Sequence, residues 1–303
     1  MPSSESAARV APRLGPGSKR GSGPEPAGDR LTFVGTATTL LRLGGFTLLT
    51  DPNFLHRGQH VHLGYGLFSR RRTEPALQPD ELPALDAMVL SHLHGDHFDR
   101  IARRKLDRGL PIVTTAHAAR RLRRWGFRSV AAVQTWQSWV LTRGAERLTI
   151  TAVPGQHGPA GVHRLLPPVM GSVFQLRRPG EPDLQVYITG DTLNRPMLRA
   201  IGERFPALDA MVLHLGGTRV LGVLVTMDGR QGTDLMAQIR PGTTVPVHYD
   251  DYSVFRSPLQ DFLNEARSRG LADGVQVAHR GQTVQLTRQL HGAGASRRPA
   301  GED

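Results

Sequence analysis

The chain of 303 residues has no cysteine. That excludes a disulfide framework, a thiol nucleophile and any thiolate-ligated metal, so a metal bound here must be held by His, Asp, Glu or water. It also suits a cytoplasmic protein. No apolar run approaches the roughly 20 residues that span a bilayer, and the N-terminus lacks the continuous apolar stretch of a secretory signal. A cytoplasmic protein without a transmembrane segment is therefore expected. Lysine is nearly missing: Lys19 and Lys105 are the only two among 38 basic residues. The formal charge of +12 raises the question of nucleic acid or anionic membrane partners. An almost pure arginine bias, however, often tracks codon composition.

With 39% hydrophobic and 21% charged residues, the chain can bury one substantial core. Residues 1–30 are rich in Ser, Gly, Pro and Ala without apolar periodicity and are expected to form a disordered leader; residues 291–303 read the same way as a tail. Between them, over 31–290, short β-branched runs alternate with Gly/Pro/Asp punctuation. Expected strands include Leu31–Val34, Thr38–Leu43, Phe46–Thr50, Ala87–Ser91 and Ile112–Thr114. The next after these is Leu148–Val153, and later ones include Leu184–Thr189, Ala210–His214, Thr244–Val247 and Val275–Ala278. Helices are expected over Asp99–Arg108, Ala116–Trp125, Arg195–Arg204, Gln231–Ile239 and Pro258–Arg269. Many strands mixed with few helices suggest sheets covered by helices. The loop from Pro52 to Glu81 is longer than a connector needs, and such loops are usually functional.

The chemistry starts where the apolar strand Ala87–Ser91 ends. His92, His94, Asp96 and His97 follow within one short turn. Alternate residues leaving a strand project to one side, so His92 and His94 can face one metal, and Gly95 lets the chain curl so that Asp96 and His97 address another. Imidazole and carboxylate without thiolate suit Zn2+, Fe2+ or Mn2+.

The segment His92-Leu93-His94-Gly95-Asp96-His97 resembles the HxHxDH signature of the metallo-β-lactamase superfamily. Further motifs of that family follow in order: Val153-Pro154-Gly155-Gln156-His157, Tyr187-Ile188-Thr189-Gly190-Asp191-Thr192 and Val245-Pro246-Val247-His248-Tyr249. Upstream, Leu48-Leu49-Thr50-Asp51-Pro52 resembles the hairpin whose aspartate supports the ligands. The resemblance implies an αββα sandwich, two facing mixed sheets with helices on both outer faces. It implies two divalent metal ions, zinc in the first instance with Mn2+ or Fe2+ as alternatives. His92, His94 and His157 would hold one, Asp96, His97 and His248 the other, and Asp191 would bridge them. The implied reaction is hydrolysis of an ester-like bond, a phosphodiester or a lactone, by a metal-bridging hydroxide that Asp96 orients. Within the superfamily, Leu31–Thr38, Thr50-Asp51-Pro52 and His248–Tyr252 are similar to the group containing ascorbate-6-phosphate lactonase and N-acylphosphatidylethanolamine phospholipase D. Members of that group often carry His where Thr36 stands and another within Met227–Gln231; this chain has neither.

Other residues read two ways. The loop bearing His56, Arg57, His60, His62, Tyr65 and Arg70-Arg71-Arg72 either overhangs the metals with cationic contacts or is a solvated surface. Leu165–Gly171 is either packing between the halves of the fold, the favoured reading, or a pocket wall. His214 reads either as an acid near the leaving group or, the favoured reading, as a core histidine or support behind the ligands. Arg120, Arg121, Arg123 and Arg124 read as a solvated helix face rather than a phosphate track. A small-molecule or lipid substrate is thus favoured over RNA or DNA, which would make the chain a nuclease.

Overall fold

Alternating burial along single strands sets the layers. In Ala87–Leu90, Ala87 and Val89 belong to an apolar cluster shared with Leu148, Ile150, Phe174 and Val212 of a second sheet, whereas Met88 and Leu90 belong to a cluster with Ala102, Ala118 and Leu122 of two helices. A strand apolar on both faces is buried on both. The structure, a computed structural model, describes residues 9–10, 28–64 and 66–288. Except for Arg9–Val10 and Gly28–Arg30, the leader lies outside the described residues, as does the tail.

The first seven-stranded sheet runs Thr283–Gln285, Arg30–Gly35, Thr38–Leu43, Phe46–Thr50, Ala87–Leu90, Ile112–Thr114, Val130–Ala132. Its first four strands are antiparallel and the rest join in parallel. The second runs Arg9–Val10, Ser138–Arg143, Glu146–Val153, Gly171–Arg177, Leu184–Ile188, Ala210–His214, Thr243–Val247, with its last three strands parallel. The two sheets share one core. Helices Arg100–Lys105 and Ala116–Arg124 cover the outer face of the first sheet. Arg199–Arg204, Gly229–Ile239 and Leu259–Ser268 cover that of the second. This is the αββα sandwich that the motifs implied. No helix among the described residues is long and apolar enough to cross a membrane.

Several elements differ from expectation. Val130–Ala132 and Ser138–Arg143 are strands that composition did not announce: the first has two alanines and is held by pairing with Ile112–Thr114, and the second is anchored by six register pairs with Glu146–Val153. Val275–Ala278 is not a strand; a single bridge from Val275 to Thr244 is all that the edge accepts. Pro196 splits the helix expected over Arg195–Arg204 into a 3-10 turn, Pro196–Leu198, and a short α-helix.

Helix Arg100–Lys105 is only six residues long, yet it fixes the turn that precedes it. Asp99 Oδ1 accepts from Ile101 N at 2.8 Å and Ala102 N at 2.7 Å, capping the helix, while Oδ2 accepts from Phe54 N at 2.5 Å and Leu55 N at 2.6 Å. One carboxylate thus satisfies four backbone donors and ties the start of the long loop to the segment just past His97. Thr115, the cap of Ala116–Arg124, accepts only from Ala118 N. Asp99→Ala is expected to cost more than about 2 kcal/mol in urea unfolding against about 1 for Thr115→Ala. Equal losses would show that the loop contacts contribute nothing.

Candidate metal centre

Each candidate ligand sits at or just beyond a strand end along the same edge of the sandwich. His92–His97 follow Ala87–Leu90, His157 follows Glu146–Val153, Asp191 follows Leu184–Ile188 and His248 follows Thr243–Val247. The backbone there is unusual. Thr36, Asp51 and His248 all have positive φ, at 55°, 40° and 63°, conformations that non-glycine residues hold only where the surroundings impose them. Gly190, at φ 62°, could not be replaced freely either, because a Cβ would lie 2.9 Å from Met170 O and 3.0 Å from Ser91 Cβ. Gly95 is needed for a different reason from the sharp curl expected of it. It has no positive φ; a Cβ there would meet Val61 Cγ2 at 2.4 Å and His62 O at 2.5 Å. Close approach of the long loop, rather than a left-handed turn, requires glycine.

The seven side chains fall into two groups. The donor atoms of His92, His94 and His157 all lie within 4.8 Å of one another, as do those of Asp96, His97, Asp191 and His248. Within the first, His92 Nε2 is 3.1 Å from His94 Nδ1. Within the second, His248 Nε2 is 3.3 Å from Asp96 Oδ2 and His97 Nε2 is 3.3 Å from Asp191 Oδ1. Asp96 Oδ1, Asp191 Oδ1 and His97 Nε2 are buried and make no hydrogen bond. Orphaned buried polar atoms are costly, and here three stand together in one cluster. A divalent cation coordinated by imidazole and carboxylate is the chemistry that fits them.

Electrostatics separates the two groups. Burial pushes His92 far below the ordinary imidazole value and takes His94 down to about 3, with His157 also lowered. These three are neutral and carry the lone pairs that metal binding needs. Burial acts the same way on His97, but Asp191 and Asp51 on either side outweigh it and hold its imidazolium well above the ordinary value. Desolvation would raise Asp191, yet the neighbouring His248 and His97 keep it well below the usual carboxylate range.

Behind the ligands lies a layer that fixes ring orientation. His157 Nδ1 pairs with Val225 O at 2.8 Å, His248 Nδ1 with Leu215 O at 3.1 Å, and His92 Nδ1 with Ser91 Oγ at 3.0 Å. Asp51, expected as support, accepts from Ser91 N at 2.8 Å and lies 3.4 Å from His97 Nδ1. His214 is fully buried, 3.7 Å from Asp51 Oδ2, with its ring stacked on His97 at 5.9 Å. It therefore backs His97, in line with its reading as support. The sequence assigns no supporting role to Thr189 or Thr226, yet both contribute. Thr189 Oγ1 accepts from His214 N at 3.0 Å, and Thr226 donates to Asp191 Oδ2 at 3.1 Å.

The long loop divides in two. His62 and Gly64 line a cavity of about 790 Å3 that reaches His94 and His157. Arg71, by contrast, is buried: it pairs with Asp251 at 3.2 Å, donates to Asn53 Oδ1 and lies over the Tyr252 ring. Arg71 thus pins the loop and is no substrate contact. Asn53 also accepts from Tyr252 OH at 2.9 Å and donates to Gly95 O at 2.9 Å, while Asp251 Oδ2 accepts from Thr36 N at 2.8 Å and Thr36 O from His248 N at 2.8 Å. One buried network therefore holds both the His92–His97 turn and His248. Leu165–Val169, favoured as packing, instead forms a wall of the cavity, and Arg121 projects to it from the helix expected to be merely solvated.

A family model described as "Beta-lactamase superfamily domain" matches residues 47–249. Among curated proteins, the chain is 24% identical over 257 residues to an uncharacterized protein of Mycobacterium tuberculosis, covering 82% of this chain and 66% of that protein, so it spans just under two thirds of that relative's length. It is 27% identical over 251 residues to a UPF0173 metal-dependent hydrolase of Thermus thermophilus, covering 79% of this chain and 92% of that one. Among solved structures, an isothiocyanate hydrolase from Delia radicum gut bacteria superposes with a TM-score of 0.72 at 22% identity, over 85% of this chain and 99% of that chain.

Removing one partner of a buried ion pair typically costs about 3–5 kcal/mol. Arg71→Met should lower urea-unfolding stability by about 3 kcal/mol on that basis, and Arg71→Met with Asp251→Leu should lose less than the two single changes added together. A loss below about 0.5 kcal/mol, as at an ordinary surface site, would show that the network does not hold the loop.

Proposed function

We propose, on the premise that this chain belongs to the β-lactamase superfamily and is a metal-dependent hydrolase, that it holds two divalent cations and cleaves an ester-like bond in a small metabolite or lipid. Zinc is the first choice, with Mn2+ or Fe2+ as alternatives, and the bond is a phosphodiester or a lactone. The observation that carries this reading is the pairing of two donor groups, one of three neutral histidines and one containing two carboxylates with orphaned oxygens. His92, His94 and His157 would hold one ion, Asp96, His97 and His248 the other, and Asp191 would serve both. Such a pair, when bound, supplies an activated water near neutral pH and polarises the electrophile.

The chain's own residues account for the rest. Asp96 keeps Oδ2 against His248 and leaves Oδ1 without a partner, so Oδ1 can accept a proton from an incoming nucleophile and orient it. Asp51 and His214 hold the His97 ring from behind, which keeps Nε2 directed at Asp191. The segments Leu31–Thr38, Thr50-Asp51-Pro52 and His248–Tyr252 support a place near the lactonase and phospholipase group. A polynucleotide substrate is less well supported. Trp125, the aromatic nearest the basic helix, already packs with Phe98 at 6.1 Å and with Arg103 at 4.4 Å, which leaves less of its ring for a base. A cytoplasmic setting suits a chain without cysteine.

Elemental analysis of zinc-replete protein is expected to give two equivalents per chain; one or none would remove the dinuclear mechanism. Asp191→Asn keeps the shape but removes the charge between the cations, so metal content should fall towards one and turnover by orders of magnitude on a panel of phosphodiesters, lactones and RNA. His214→Ala should be milder, with a loss of about 10- to 100-fold. Two retained metals and near-normal turnover in Asp191→Asn would sink the bridging role.

A further inference from the structure

Among the described residues, the cavity that leads to His94 and His157 is lined without an aspartate or glutamate side chain. One wall is apolar, formed by Leu165, Leu166, Pro167, Pro168 and Val169, with Leu165 64% exposed at the surface. Leu93, Phe98 and Trp125 also line the cavity. Two guanidinium groups, Arg121 and Arg164, also line it; neither has a carboxylate partner among the described residues, and Arg121 lies over the Trp125 ring at 5.5 Å. Arginines without carboxylate partners beside apolar walls match a ligand that is apolar along its body and carries an anionic group.

We propose that this cavity takes a single-chain amphiphilic anion, with its aliphatic or aryl body against Leu165–Val169 and its carboxylate or phosphate on Arg121 and Arg164, so that the bond to be cleaved lies over His94 and His157. The inference rests on the hydrolase reading and narrows its substrate class. A polynucleotide fits the lining less well: Trp125, the ring it would stack on, already engages Phe98, Arg103 and Arg121. The volume of about 790 Å3 is that of a site for one small ligand.

The test is calorimetric binding of decylphosphonate, ethylphosphonate, decanol and decyltrimethylammonium to the full zinc-loaded chain, repeated after chelation. Decylphosphonate is expected to bind about tenfold or more tightly than either ethylphosphonate, which lacks the body, or decanol, which lacks the charge. Arg121→Glu combined with Arg164→Glu should abolish that margin and shift preference to decyltrimethylammonium. Both residues are exposed, so folding should survive, and Leu165→Asp gives an independent surface change that should also weaken decylphosphonate. Equal binding of the decyl and ethyl phosphonates, or a margin untouched by the arginine reversals, would overturn the proposal and place the anion on the metals instead. Failure of the hydrolase reading appears elsewhere, as absent zinc uptake, because binding to the chelated chain reports on the cavity alone.

Discussion

The rest of the molecule answers to one constraint: a dense set of ionisable groups is kept out of water at the ends of the sheet strands. Asp51, Asp96 and Asp191 and the histidines at 92, 97, 157, 214 and 248 are each 5% exposed or less. Burying isolated charges at that density is prohibitive. It is tolerable here because His97 lies between the carboxylates of Asp191 and Asp51, burial keeps His92, His94 and His157 neutral, and the donor atoms converge where cations would neutralise the carboxylates. The left-handed backbone at Thr36, Asp51 and His248 follows from the same demand, since each bend directs a main-chain or side-chain group into the cluster. The core on both sides of the sheets provides the rigidity that holds such bends.

The support network extends this logic outward. Asp99 and Asn53 look unrelated in sequence, but each satisfies several groups from separated segments and so makes the loop after Thr50 part of the site's frame. Arg71 is the extreme instance. A fully buried guanidinium is costly, and it is compensated by Asp251, Asn53 and the face of Tyr252 together. The loop is thus fixed at its base, and among the described residues it meets the cavity through His62 and Gly64.

The ligand cluster was legible because its spacing is local: four donors lie within six residues, and three further motifs each place one donor after an apolar strand. The two-layered sheet pattern was legible for the same reason, through runs such as Ala87–Leu90 that are apolar on both faces. What escaped was whatever depends on long-range closeness. Thr226 reaches Asp191 from 35 positions away, and a threonine carries no signature of such a role. Arg71 looked like its neighbours in a basic run, and only burial distinguishes it. Arg121 lies on a helix whose other arginines are solvated, and nothing in a repeating basic pattern marks the one that faces a cavity. Gly95 was identified as necessary, but for a turn, when the reason is a loop packed against it.

The two donor groups are not equivalent, and their difference gives the site a direction. His94 and His157 line the cavity, whereas none of Asp96, His97, Asp191 and His248 does; all four are enclosed by the protein. A ligand in the cavity therefore meets the all-histidine group first. The carboxylates of Asp96 and Asp191 lie behind those imidazoles and away from the cavity lining. An anionic ligand drawn by the arginines of the lining therefore approaches without meeting a carboxylate.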